Sequence, residues 1–218
     1  MITLIRHGQA RFGTEDYDRL SDLGFEQARA LGRALKRRGM AAPTTFARGT
    51  LRRQRETLEA LCDGFEVAPE TVQVLPGLDE FDFGALLAAR FASEPAPEGL
   101  NSDRKLHFRV LRDTVLGWQR DEIAQPPEPF SGFAARVRAA AETLRGARDA
   151  IAVSSAGPIA LMVAQALDAP DSQMIRLQLQ MRNTAVTRLR AGRAALFLDG
   201  FNETPHIAGE TDPLLTYS

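Results

Sequence analysis

The chain opens on an apolar run that stops abruptly in a cation, an imidazole and a glycine: Met1-Ile-Thr-Leu-Ile-Arg6-His7-Gly8-Gln9-Ala-Arg11-Phe-Gly13. Ile2, Leu4 and Ile5 predict a buried β-strand, because branched and bulky apolar side chains suit a covered, pleated surface. Gly8 allows the backbone to turn where a Cβ would clash. Arg6 and His7 are then delivered at the carboxyl end of a strand, which is where open α/β sheets hold their ligands.

The segments that follow alternate. Ser21 is placed to cap a helix over about 22–38, where Leu23, Ala28, Leu31 and Leu35 recur at helical spacing and Gly39 ends the run. Thr44–Ala47 predicts a second strand, residues 51–62 a helix rich in arginine, and Val72–Leu75 a third strand closed by Pro76-Gly77. This β-α-β-α-β order predicts a three-layer α/β/α fold with a mostly parallel central sheet. Residues 79–130 change character. A segment rich in small residues and proline precedes a helix at about 101–122, then Pro126-Pro127-Glu128-Pro129. They read as a helical insertion after the third strand, packed over the sheet edge within one domain spanning 1–218.

A helix over 132–146 leads to a fourth strand, Ile151-Ala-Val153. That strand runs into Ser154-Ser155-Ala156-Gly157-Pro158 and a helix to about 167. A strand, a turn of small residues and a helix N-terminus make a corner suited to anions, and Pro158 suits a first helical turn. Another helix is expected over 172–180. Thr184–Leu189 and Ala194–Leu198, flanking Ala191-Gly192, read as a hairpin at the sheet edge, with an irregular tail from Phe201.

Composition narrows the function classes. Of 218 residues 44% are apolar, enough for a core, and 27 Lys+Arg nearly balance 28 Asp+Glu. That balance argues against nucleic acid or a membrane surface as partner. The single cysteine, Cys62, allows no internal disulfide and suits a reducing compartment. No run approaches the roughly 20 apolar residues of a membrane helix, and there is no signal-peptide pattern. A soluble, cytoplasmic protein is expected. The final hairpin leaves an edge that could pair with a second copy as a homodimer.

The chemistry resides in Arg6-His7-Gly8. A neutral imidazole can attack phosphorus, and guanidinium groups can hold phosphoryl oxygens bidentately. Nearby arginine charge disfavours the imidazolium, keeping His7 nucleophilic near neutral pH. Arg52, Arg53 and Arg55 begin the second helix, and Arg48 lies just before it. Asp79, Glu80 and Asp82 compete for the role of proton donor. His107 reads as a helix-surface residue, and His206 as a structural hydrogen-bonding one.

Several stretches together resemble the histidine phosphatase superfamily, also called phosphoglycerate mutase-like. Leu4-Ile-Arg6-His7-Gly8-Gln9 resembles its signature strand end, and Leu20-Ser-Asp-Leu-Gly24-Phe-Glu-Gln-Ala28 the start of its first helix. Leu51-Arg-Arg53-Gln-Arg-Glu-Thr57 is similar to its second motif. Leu78-Asp-Glu80-Phe-Asp-Phe-Gly84 resembles the segment holding its proton donor. Asn183-Thr-Ala-Val-Thr-Arg-Leu189 and Phe201-Asn-Glu-Thr-Pro-His206 resemble its last strands and tail. The resemblance spans nearly the whole chain. It implies His7 as a nucleophile that becomes transiently phosphorylated, Arg6 and Arg53 as phosphoryl clamps, and Glu80 as acid and then base. Gln9 and Ser155 join Arg6, His7 and Arg53 around the phosphate of a small phosphorylated substrate.

The departure from the family pattern is at Ser155. A second histidine is usual there, in a Ser-His-Gly-Gly-like turn, and here Ser154-Ser155-Ala156-Gly157 stands in its place. A serine hydroxyl can donate to a phosphoryl oxygen but carries no charge, and loss of one preorganised donor costs about 10²–10³ in rate. The resemblance therefore implies a phosphomonoester hydrolase, with reduced activity and without metal or cofactor. A non-catalytic phosphate-ester binder and a phosphomutase are the alternatives.

Overall fold

A computed structural model describes residues 1–11, 16–100 and 103–217, and the backbone alone of Arg104 among them. Phe12 and Gly13 of the opening stretch, and the first two residues of the helix expected at 101–122, lie outside the described residues. The strands are β1 (Ile2–Arg6), β2 (Thr45–Arg48), β3 (Val72–Val74), β4 (Ala150–Ser154), β5 (Val186–Ala191) and β6 (Leu196–Glu203). The helices are α1 (Asp22–Arg37), α2 (Arg52–Phe65), α3 (Phe83–Arg90), α4 (Arg104–Gln119), α5 (Phe130–Arg145), α6 (Ala156–Ala166) and α7 (Gln173–Leu179), with one 3-10 turn at Pro76–Leu78.

The six strands lie in the order β3-β2-β4-β1-β5-β6. The first four run parallel, and β5 pairs antiparallel with both β1 and β6. This is the mostly parallel, helix-flanked sheet that the alternation of segments predicts. Strand periodicity divides the core between the two faces. Ile2 and Leu4 of β1, Ala47 of β2 and Ala150 and Ala152 of β4 face a layer that includes α5 and α6. Ile5, Phe46, Ile151 and Val153 face α1 and α2. All five residues of β1 and of β4 are buried, as expected for central strands covered on both sides.

Local signals set several boundaries. Ser21 caps α1 by accepting from the Gly24 amide at 3.0 Å. Gly39, at φ +73°, follows the last turn. The N-terminus of α2 has no cap of its own and takes its acceptors from distant carboxylates. Asp18 accepts from the Arg52 amide at 2.7 Å, and Asp79 from the Thr50 amide at 2.6 Å.

Three sequence expectations are corrected. The segment after Asp82 is helical, because Asp82 accepts from the Ala85 amide at 2.9 Å and starts α3, which seats Leu86 in the core. The last strand continues past Phe201 to Glu203, where register shifts between Val186 and Leu189 hide the alternation. Its partner starts at Val186 rather than Thr184, since Thr184 takes φ +53° and turns the chain. Among the described residues no helix is long and apolar enough to cross a membrane.

Candidate active site

The parallel register of β1 and β4 brings the two informative strand ends together. Arg6 pairs with Ser154, and the His7 amide donates to the Ser154 carbonyl at 2.9 Å. His7 and Ser155 are therefore neighbours just past the carboxyl ends of adjacent central strands. Gly8 then passes so close to α1 that a Cβ there would lie 2.6 Å from the Gly24 carbonyl oxygen. Its amide donates to Thr57 Oγ1 at 3.0 Å, tying this turn to α2.

The state of the His7 ring follows from its partners. Nδ1 lies 2.7 Å from the Gly8 carbonyl oxygen, which can only accept, so Nδ1 carries the proton. Nε2 then presents a lone pair, and Arg53 Nε donates to it at 3.2 Å. Burial pushes the imidazole pKa well below its usual value, and the charges of Arg53 and Arg6 push the same way. The His7 carbonyl accepts from Asn183 Nδ2 at 3.2 Å, which fixes the backbone behind the ring.

Both arginines are buried beside it. Arg6 Nη1 donates to the Met181 carbonyl and, at 3.0 Å, to that of Tyr217, while its Nε has no partner. Burial lowers its pKa to about 10, which leaves it charged at neutral pH. Arg53 Nη1 donates to Asp18 Oδ1 at 2.7 Å, and its guanidinium lies over the Tyr17 ring at 5.6 Å.

Glu80 is half-buried, with Oε2 accepting from the Gly157 amide at 3.0 Å at the start of α6. Removal from water raises its pKa, outweighing that bond and the pull of Arg53 and Arg6. The flanking segment is held rigidly. Arg136 donates to the Asp79 carbonyl at 2.7 Å, and the Phe81 ring packs on Trp118 and Phe133 at centroid distances of 5.0 and 5.6 Å. The two competing acids are occupied elsewhere, Asp79 at the start of α2 and Asp82 as the cap of α3.

Gly157 carries a direct consequence. A Cβ there would lie 2.1 Å from Glu80 Oε1. That atom ends a flexible side chain, so Gly157→Ala is expected to displace the carboxylate rather than unfold the chain. Turnover should fall by about tenfold or more with the melting temperature little changed. Equal activity in the variant would mean that the Glu80 position is immaterial.

The other expected site residues divide. Ser155 is fully buried and accepts from Gln54 Nε2 at 2.9 Å. Gln9 turns its amide oxygen to Ser21 Oγ at 2.9 Å, and Arg48 donates to the Gly49 carbonyl at 2.8 Å. His107 stacks edge-on near Phe83 and Phe108. His206 Nε2 lies 2.9 Å from Thr184 Oγ1, with burial lowering its pKa to about 4. Sequence reasoning missed Gln54, Asp18 and the Asn183 side chain. Each acts on the site across more than 30 residues of chain, and none stands out by spacing.

The family model of the histidine phosphatase superfamily (branch 1) matches residues 2–204 of this chain. The chain belongs to the histidine phosphatase superfamily. Among other superfamily proteins, it is 32% identical over 146 residues to a 2,3-bisphosphoglycerate-dependent phosphoglycerate mutase of Methylocella silvestris, covering 63% of the chain and 64% of that mutase. It spans less than two thirds of the length of the curated relatives it matches. A mycobacterial glucosyl-3-phosphoglycerate phosphatase has a similar fold, with a TM-score of 0.63 at 24% identity over 93% of this chain and 98% of that one. So does the alpha-ribazole phosphatase of Shigella flexneri, with a TM-score of 0.66 at 19% identity over 93% and 96%.

Proposed function

We propose that this histidine phosphatase superfamily chain is a metal-independent phosphomonoester hydrolase acting through phosphohistidine at His7. The observation that carries the reading is the tautomer of that ring. Its proton is held by the Gly8 carbonyl, and the lone pair on Nε2, which accepts from Arg53 Nε, sits beside two buried guanidinium groups. A phosphoryl group there would meet a nucleophile already uncharged and cations already desolvated, and the Arg53 Nε–H would move from Nε2 to a phosphoryl oxygen as the attack begins.

In the first half-reaction His7 Nε2 attacks phosphorus and the P–O ester bond breaks. The Glu80 carboxyl gives its proton to the departing alkoxide. In the second, the Glu80 carboxylate takes a proton from water. The resulting hydroxide attacks phosphorus, the P–N bond breaks, and its electron pair returns to Nε2 as phosphate leaves. Arg6 and Arg53 hold the equatorial oxygens, with Gln9 and Ser155 as uncharged donors. Residues 1–218 act as one domain, with residues 79–130 supplying Glu80 and the cover over the substrate. The phosphatases of similar fold support hydrolysis, and the mutase relative supports phosphoryl transfer as the second reading.

Incubation with an aryl phosphate in the presence of a chelator tests this. Many phosphates released per chain are expected. One phosphate bound per chain and none released would identify a binder. Transfer to an added alcohol in preference to water would identify a mutase.

A further inference from the structure

Gln54 lies on the buried face of α2 and is fully enclosed. Its Nε2 donates to two oxygens, the Leu78 carbonyl at 2.8 Å and Ser155 Oγ at 2.9 Å. A carbonyl only accepts, so the amide nitrogen must face Leu78, and the orientation of the carboxamide is fixed. Ser155 then accepts the second amide hydrogen. Its own proton is turned away from Gln54, and no acceptor among the described residues takes it. Ser154, next in the chain, spends its hydroxyl on the same Leu78 carbonyl at 2.7 Å.

Ser155 follows the residue whose carbonyl takes the His7 amide and precedes by two the residue whose amide holds Glu80, so both reacting groups of the proposed hydrolase are tied to its own turn. A buried hydroxyl donor without an acceptor is costly unless a ligand supplies one. We infer that Gln54 is a positioning residue that turns the Ser155 hydroxyl proton toward the phosphoryl oxygens, making a neutral two-residue donor that strengthens as charge develops on them. This rests on the phosphohistidine reading, and it assigns the task of an imidazole to a serine and a glutamine from two different elements.

A double-mutant cycle on aryl phosphate hydrolysis tests it. Ser155→Ala is expected to lower kcat by about 10²-fold, and Gln54→Met, which keeps the length of the side chain, by about tenfold. KM should change little in either. In the Ser155→Ala background, Gln54→Met should have no further effect on kcat. The same tenfold loss in both backgrounds would overturn the inference, because Gln54 would then act through Leu78 and the Glu80 segment. Gln54→Leu, which also lacks a donor, should match Gln54→Met if the latter folds poorly. Orthovanadate affinity gives a second readout that needs no turnover. A chain whose rate equals that of His7→Ala would end the hydrolase reading. The vanadate cycle would still decide for Gln54, non-additive losses supporting it and additive losses overturning it.

Discussion

Replacing His7 with alanine is expected to lower phosphate release on the order of 10⁴-fold or more, since removal of a nucleophile leaves only binding and transition-state electrostatics. The fold should survive. The His7 carbonyl is held by Asn183 and its amide by Ser154, so the backbone contacts outlast the ring. The variant should still bind phosphate, because Arg6 and Arg53 reach the site from separate elements. The variant leaves the buried Arg53 Nε–H without its acceptor, so a loss of about 1–3 kcal/mol of stability is expected, short of unfolding. A loss of activity accompanied by unfolding would point to packing, whereas retained phosphate binding without turnover would isolate the chemistry.

Glu80→Gln should show a different signature. General acid catalysis contributes about 10²–10⁴-fold, and the contribution grows with the basicity of the leaving group. An alkyl phosphate should therefore lose most of its rate in the variant, and a nitrophenyl phosphate far less. The pH profile gives a second handle. His7 has its pKa lowered well below 6.5, so the nucleophile is lost only as pH falls through that depressed value. Glu80 has its pKa raised above 4.5, so the acid form persists to higher pH and is lost as pH rises through the raised value. The acid limb of kcat/KM should belong to His7 and the basic limb to Glu80. In Glu80→Gln the basic limb should flatten while the acid limb stays. An unchanged basic limb would assign the donor to another group.

The strand ends were the most readable part of the molecule. An apolar run ending in Arg6-His7-Gly8 and another ending in Ser154-Ser155 each announce a strand by side-chain type alone, and parallel pairing at the sheet centre brings them together. The cap of α1 was equally plain, because Ser21 acts within three residues of itself. What escaped reading acts over distance or against local appearance. Residue type alone left Asp79 and Asp82 as competitors of Glu80, which only the resemblance favoured, and their carboxylates prove to serve the starts of α2 and α3. The α3 segment is rich in small residues and hides a capped helix. Gln54 and Asp18 look like ordinary polar residues, and only the packing of α2 gives them to Ser155 and Arg53.

The central claim is that the lone pair on His7 Nε2 takes the phosphoryl group. Rapid quench into alkaline denaturant during turnover of a radiolabelled phosphate ester, followed by peptide mapping at alkaline pH, addresses it directly. Label on His7 that is released by acid and retained in alkali, absent from His7→Ala and accumulating in Glu80→Gln with a good leaving group, is the expected result. Turnover with no label on the chain, or label on any other residue, would contradict it.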